Sequence, residues 1–170
     1  MRVYLVRHGI ALNLGEKGVA TDAERPLSAE GRQKTAEVGR GLAQLECRPN
    51  RVVTSPLTRA AQTAAILSQE LGLTTAAETC DLLIPGKFPE DTIHWLAAQT
   101  STDIMLVGHL PDMPRLASLL VAGHTRAAIE FKKAAVCCLS WDGPPRSGAA
   151  QLEWLLHKRF IARVIAREAA

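Results

Sequence analysis

Short, largely apolar runs alternate along the chain with longer stretches in which apolar residues recur every three or four positions. The runs at residues 3–6, 51–54 and 104–107 are rich in β-branched residues and stop abruptly at polar ones, which is typical of buried strands. The longer stretches have the spacing of amphipathic helices. This alternation predicts an α/β fold in which a largely parallel central sheet is covered by helices.

The residues that begin and end helices place these elements more closely. Ser28 is a typical N-cap, and a helix is expected from there to about Cys47. Further helices are expected over residues 57–71, 91–98, 111–121 and 157–168. Residues 10–26 and 74–89 lack sustained periodicity and predict connecting loops.

Residues 135–141 and 151–156 have strand patterns on either side of a turn rich in glycine and proline. They predict an antiparallel hairpin at one edge of the sheet. The expected fold class is therefore α/β, with three layers and a mostly parallel central sheet that has an antiparallel edge. A chain of 170 residues suits one domain, so a single domain over residues 1–170 is expected.

Composition and charge exclude several classes of function. The formal net charge of +3 is too weak to indicate nucleic-acid binding, although it suits an anionic substrate. No apolar run approaches the length of a membrane span, and the apolar run before Arg7 is too short for a signal peptide. A cytoplasmic location and the absence of membrane partners are therefore expected. The four cysteines form no C-x-x-C pair or metal-finger spacing.

Polar side chains that can take part in catalysis follow three of the predicted strands. Arg7 and His8 follow the first, Ser55 and Arg59 the second, and His109 the third. Because the carboxyl ends of parallel strands meet at one edge of a sheet, two imidazoles and two guanidiniums are expected to converge. Such a cluster is costly without an anion, and a dianionic phosphate held by arginine is the natural occupant. Backbone amides at the helix starts near Ser55 and Leu110 would add to its binding.

Three motifs in this chain resemble those of the histidine phosphatase superfamily, which includes the phosphoglycerate mutases. The chain has R-H-G at 7–9, S-P-L-T-R-A-A-Q-T at 55–63 and V-G-H-L-P at 107–111. Small size, R-P-L-S at 25–28 and H-L-P after the second histidine make it most similar to the SixA-like phosphohistidine phosphatases. The resemblance covers roughly residues 1–120 and implies a phosphoglycerate mutase-like fold without a large lid insertion.

The resemblance also implies roles for individual residues. His8 would be the nucleophile, forming a transient phosphohistidine that water hydrolyses, and nearby positive charge would keep its ring neutral. The other residues with implied catalytic roles bind phosphoryl oxygens or complete the pocket: Arg7, Arg59 and His109. The residues expected to contact the substrate are Arg25, Gly9, Ser55 and Leu110. No metal or other cofactor is expected, because the sequence offers no carboxylate cluster to hold a metal.

The proton donor for the leaving group is where the chain departs from the wider superfamily. Many members carry a glutamate before the third helix, whereas this chain has leucine there, and Asp81, one position away, is the candidate acid. An alkoxide leaving group needs protonation, but a phosphorylated histidine expels an imidazole, which leaves far more readily. The departure therefore favours a phosphoramidate substrate over a sugar phosphate.

The length of the chain supports the same interpretation, because only residues 82–89 stand where larger relatives insert helical segments. A shallow, open site is expected, one that admits a histidine on a protein such as a histidine-phosphotransfer domain. The predicted function is a metal-independent phosphatase that hydrolyses phosphohistidine on proteins. Two alternatives stay open: a phosphomonoesterase for small phosphorylated metabolites, and a catalytically weak phosphate-binding regulatory module.

Overall fold

A computed structural model describes residues 1–161 of the chain. The strands it contains are β1 Arg2–Arg7, β2 Arg51–Thr54, β3 Glu78–Thr79, β4 Asp103–Gly108, β5 Val136–Ser140 and β6 Gln151–Leu156. The helices are α1 Ala29–Gln44, α2 Thr58–Glu70, α3 Pro89–Ala97 and α4 Asp112–Ala122. Short 3-10 turns lie at Glu16–Gly18 and Asp81–Leu83, and residues 158–161 begin a further helix.

The strands form a single sheet in the order β3-β2-β4-β1-β5-β6. The first four strands in this order, β3, β2, β4 and β1, are parallel to one another. Strand β5 runs antiparallel to β1, and β6 runs antiparallel to β5. The predicted mostly parallel sheet with an antiparallel hairpin at its edge is confirmed. Strands β1, β2 and β4 all end at one side of the sheet, which we call the carboxyl edge.

Alternating residues of β1 show why the molecule has three layers. Val3 and Leu5 pack into the core that α3 and α4 cover, whereas Tyr4 and Val6 pack into the core that α1 and α2 cover. Successive side chains of a strand point to opposite faces, so a central strand with both faces covered is apolar at every position. The uninterrupted apolar run of β1 is the direct consequence.

Helix α1 begins as the sequence predicts and ends earlier. The Ser28 hydroxyl accepts a hydrogen bond from the Gly31 amide at 3.0 Å, as an N-cap does. The predicted end near Cys47 is wrong by three residues, because Glu46 adopts a positive φ of 54°. The Cys47 amide then donates to the Leu42 carbonyl at 3.0 Å, which closes the helix in a Schellman-type arrangement.

The predicted loop over residues 74–89 contains an element that the sequence did not reveal. Strand β3 is only two residues long and extends the sheet beside β2, where its Glu78 forms an ion pair with Arg51 at 2.8 Å. A two-residue strand is too short to show an alternating pattern. Helix α3 also begins two residues before the predicted start at Asp91, because Pro89 fits the first turn of a helix.

The C-terminal hairpin brings a further chain segment to the carboxyl edge. Because β5 is antiparallel to β1, its first residue, Val136, lies opposite Val6 near the end of β1. The predicted helix over residues 157–168 begins at 158, and its part after 161 lies outside the described residues. Among residues 1–161, no helix combines the length and the apolar character needed to cross a lipid bilayer.

Candidate active site

Two histidines lie side by side at the carboxyl edge. Arg7 and Gly108 are paired at the ends of the adjacent parallel strands β1 and β4, so the next residues, His8 and His109, leave the sheet together. Their ring centroids are 5.0 Å apart, with an angle of 55° between the ring planes. The convergence expected from parallel strand ends is therefore present for these two imidazoles.

The ring of His8 is held in one tautomer. Its Nδ1 lies 2.7 Å from the carbonyl oxygen of Gly9, and a carbonyl only accepts, so Nδ1 carries the proton and Nε2 carries the lone pair. The side chain is buried, with 5% of its surface exposed. Burial, reinforced by the positive charge of Lys133 and by the neighbouring His109, lowers the pKa of His8 to about 2. His8 is therefore neutral at physiological pH, as a nitrogen nucleophile must be.

Gly9 fixes this geometry through its backbone. Its amide donates to the Thr63 hydroxyl at 3.0 Å, and that hydroxyl donates to the Arg59 carbonyl at 2.7 Å. A Cβ at this position would lie 2.5 Å from Oγ1 of Thr35, so the loop tolerates only glycine without rearrangement. The Gly9 amide is therefore occupied by Thr63 and its carbonyl orients His8, while the expected substrate contact from Gly9 stays a prediction.

Arg59 connects His8 to the loop that precedes α1. Its Nε–H donates to Nε2 of His8 at 3.3 Å, and its Nη2 donates to a carboxylate oxygen of Asp22 at 2.9 Å. The other oxygen of Asp22 accepts from Arg25 at 2.9 Å, while Arg25 also donates to the Leu12 carbonyl at 2.7 Å. Arg25 and then Arg59 keep the pKa of Asp22 below its usual value, so this carboxylate is ionised.

Arg7 and His109 complete the set of expected catalytic side chains. One Nη of Arg7 donates to the Phe131 carbonyl at 2.7 Å, and burial lowers the pKa of this guanidinium. His109 is 2% exposed, and burial, followed by the charge of Arg59, lowers its pKa to about 4. Neither ring nitrogen of His109 has a hydrogen-bond partner among residues 1–161. A neutral His109 therefore retains one N–H to donate and one nitrogen to accept.

Three further residues expected at the site are Ser55, Leu110 and Asp81. The Ser55 amide donates to the Val107 carbonyl at 3.0 Å, and the Leu57 amide donates to the Ser55 hydroxyl at 3.3 Å, so this hydroxyl keeps its own proton to donate. The expected contact between phosphate and backbone amides near Ser55 stays a prediction. Leu110 lies at the start of α4 and is partly exposed. Asp81 is exposed in a 3-10 turn after β3, and β2 and β4 lie between β3 and β1. Within the described chain its carboxylate bonds to none of the residues above.

Lys133 is a site residue that the sequence analysis missed. The segment before β5 wraps around the end of β1, because the Ala134 amide donates to the His8 carbonyl at 3.3 Å and the Arg7 amide donates to the Ala135 carbonyl at 3.1 Å. Lys133 is half-buried there and lines the same cleft as Arg7. Burial, and then the charges of Arg7 and two other arginines, lower its pKa to about 8. The strand pattern did not reveal it, because only the antiparallel direction of β5 against β1 places the residues before β5 at the carboxyl edge.

The charge of the site is strongly positive. The site contains four cationic side chains and one carboxylate, Asp22, while both imidazoles are neutral. Arg25 and Arg59 pair with Asp22, and the other two cations are Arg7 and Lys133. This imbalance suits a dianionic oxyanion such as a phosphoryl group. In the part of the chain that the structure describes, no cluster of three or more histidine, cysteine, aspartate or glutamate side chains is arranged to hold a metal ion.

Comparisons with known proteins identify relatives of this chain. The family model described as "Histidine phosphatase superfamily (branch 1)" matches residues 3–83. An uncharacterized protein of Picosynechococcus is 36% identical over 158 residues, covering 90% of this chain and 89% of that protein. Phosphohistidine phosphatase SixA of Escherichia coli is 27% identical over 157 residues, covering 91% and 92% respectively. A solved structure of the protein histidine phosphatase SixA with tungstate superposes with a TM-score of 0.82 at 26% identity, covering 95% of this chain and 99% of that one.

Proposed function

Because this chain belongs to the histidine phosphatase superfamily and is a homologue of SixA, it is a phosphatase, and we propose that its substrate is phosphohistidine on proteins. The observation that carries this choice of substrate is the state of Asp22, the carboxylate that shares Arg59 with His8. Asp22 is held ionised by two arginines, and Asp81 bonds to no site residue in the described chain. A site whose carboxylate is ionised suits a leaving group that needs no strong acid.

The first step transfers the phosphoryl group to His8. The lone pair on Nε2 forms a bond to phosphorus while the bond between phosphorus and the substrate nitrogen breaks, and the electron pair of that bond leaves with the nitrogen. A substrate ring that is protonated on its other nitrogen departs as neutral imidazole. Arg7 and Arg59 stabilise the charge on the non-bridging oxygens in the transition state.

The second step returns the enzyme to its starting state. The Nδ1 proton, which donates to the Gly9 carbonyl, makes phosphorylated His8 a cationic ring and therefore a good leaving group. Water attacks phosphorus, the bond to Nε2 breaks, and the products are dihydrogen phosphate and neutral His8. Proton and charge balance without a carboxylic acid from the protein.

Two features of the relatives support the proposal. The Escherichia coli relative is named a phosphohistidine phosphatase and aligns over nearly the whole of both chains. The solved SixA structure contains tungstate, a tetrahedral oxyanion with the shape of phosphate. The connection between β3 and α3 is short and contains no inserted helical lid, which suits a substrate histidine carried on a protein surface.

The test is a substrate panel combined with trapping of the phosphoenzyme. The purified chain is offered a protein carrying 32P-phosphohistidine, free phosphohistidine and a set of small phosphate esters, and reactions are quenched early in alkali. We expect hydrolysis of both phosphohistidine substrates and 32P on the wild-type chain, with none on His8→Ala. His94→Ala, which changes an exposed histidine on α3, is the matched control and should be labelled like the wild type.

The alternatives give different results in the same assay. Efficient hydrolysis of small esters with phosphohistidine left intact would show a metabolite phosphatase. Oxyanion binding without turnover of any substrate would show a phosphate-binding module.

A further inference from the structure

A cleft adjoins the site around His8 along the carboxyl edge. It has a volume of about 370 Å³ and shares Arg7 and Lys133 with the site around His8. Its other charged wall residues are Lys132, Lys158 and Arg159, with His157 beside them. We call it the basic cleft.

The topology explains why these cations lie together. Strand β1 ends at Arg7, β5 begins three residues after Lys133, and β6 ends just before His157. Val136 at the start of β5 is paired with Leu156 at the end of β6, so the two flanking segments are adjacent. These cations therefore lie beside the site around His8, at the end of the sheet formed by β5 and β6.

The composition of the basic cleft defines its occupant. Among residues 1–161, no carboxylate lines it, and of its cations Lys132 has an acidic partner there, Glu130 at 3.7 Å. The guanidinium of Arg159 lies over the Phe160 ring at 4.7 Å, which holds the charge at the surface. Ile10 and the aliphatic stems of the lysines supply apolar wall between these charges. The wall between these charges is mainly apolar, so an occupant needs both negative charges and apolar surface.

We propose that the basic cleft binds a carboxylate-rich segment of the protein substrate while its phosphohistidine lies at His8. This inference rests on the proposed function and adds the chemistry of the partner. A protein segment is favoured over a second small anion because the cleft reaches from Arg7 to Arg159, which is exposed to solvent.

The experiment compares two synthetic phosphohistidine peptides that differ only in having glutamates or glutamines beside the phosphohistidine. We expect kcat/KM to be about tenfold higher for the glutamate peptide, with a preference that shrinks as NaCl is raised. The double variant Lys158→Glu/Arg159→Glu should abolish the preference and leave hydrolysis of free phosphohistidine unchanged. Arg48→Glu/Arg146→Glu, which reverses two exposed charges at the opposite end of the sheet, should keep the preference.

Binding of the same peptides to the His8→Ala chain separates this proposal from the proposed function. If the wild type hydrolyses neither phosphohistidine peptide nor free phosphohistidine, the proposed function fails, while a Lys158- and Arg159-dependent preference in binding still supports the basic cleft. Equal binding of the two peptides overturns the cleft proposal. Pyrophosphate affinity that depends on Lys158 and Arg159, with equal peptide binding, also overturns it and indicates a small-anion subsite.

Discussion

Arg59 donates its Nε–H to Nε2 of His8 across 3.3 Å, so one guanidinium lies directly against the ring nitrogen that carries the lone pair. The same guanidinium reaches Asp22 through Nη2 at 2.9 Å. A planar fork with donors on three nitrogens contacts both partners at once, whereas a lysine ammonium presents its charge at one point.

The variant Arg59→Lys should therefore lose activity although it keeps the charge. We expect the rate of phosphoenzyme formation to fall about 100-fold or more, because one cation no longer both contacts His8 and stabilises the phosphoryl oxygens. Rapid-quench measurement of 32P-labelled chain reports this step directly. Arg40→Lys, on the surface of α1 where Arg40 pairs with Glu70 at 3.4 Å, is the control, and an equal loss there would contradict the argument.

Thr63→Val should destabilise the fold and weaken catalysis together. The change leaves the buried Gly9 amide without its acceptor, at a cost of about 1–3 kcal/mol in the free energy of unfolding. It also loosens the loop whose carbonyl orients His8. Urea unfolding and kcat are the measurements. Thr63→Ser keeps the hydroxyl and should recover most of both, so a serine variant as impaired as the valine variant would exclude the hydrogen bond as the cause.

The two buried imidazoles should make stability depend on pH. Unfolded histidines bind protons below about pH 6.5, whereas folding lowers the pKa of His8 to about 2 and that of His109 to about 4. The unfolded chain therefore binds more protons between these values, and the free energy of unfolding falls as pH decreases from about 6.5 towards 4. Each histidine contributes up to about 1.4 kcal/mol per pH unit.

Glutamine variants test this linkage. His8→Gln and His109→Gln each remove one titrating group, so each should flatten the plot of unfolding free energy against pH between about pH 6.5 and 5. His94→Gln, at an exposed position on α3, should leave the slope unchanged. Parallel plots for all four chains would show that the histidines are protonated equally in the folded and unfolded states.

Lys133 should contribute its charge to oxyanion binding. Burial lowers its pKa to about 8, so the ammonium loses its proton as pH rises through that value and kcat/KM should fall. Lys133→Met should reduce kcat/KM about tenfold or more at neutral pH, because a charged hydrogen bond is lost. Lys133→Arg should retain activity and move the decline to higher pH.

The neighbouring residue is the control for this prediction. Lys132 has the same side chain one position earlier, is exposed, and pairs with Glu130. Lys132→Met should leave hydrolysis of free phosphohistidine unchanged. A decline near pH 8 that persists in Lys133→Arg would assign the titration to another group.

The sequence predicts the convergence of His8, His109 and Arg59 because parallel strands deliver their carboxyl ends to one edge. That rule needs only the positions of the strands, which the apolar runs mark clearly. The rule misses Lys133, which precedes a strand. The residues before an antiparallel strand reach the same edge, but the strand pattern alone does not give the direction of pairing. The rule also misses Asp22, because it lies in a loop without periodicity.

The sequence does not show which backbone groups are free. Gly9 and Ser55 are expected to contact the substrate, and their own amides donate to Thr63 and Val107. These acceptors are distant in sequence, and no local pattern reveals them. Buried amides are nearly always paired, so an amide at a strand end needs its tertiary partner identified before it is assigned to a ligand.

Asp22 bridges Arg25 and Arg59 and is itself 53% exposed at its side chain. An arriving oxyanion therefore does not meet bare guanidiniums but competes with a tethered carboxylate for them, and a departing phosphate is replaced by the same group. Binding and release of phosphate then become an exchange of anions on these arginines, and Asp22 weakens the binding of the product. Such an internal competitor favours rapid turnover over strong retention.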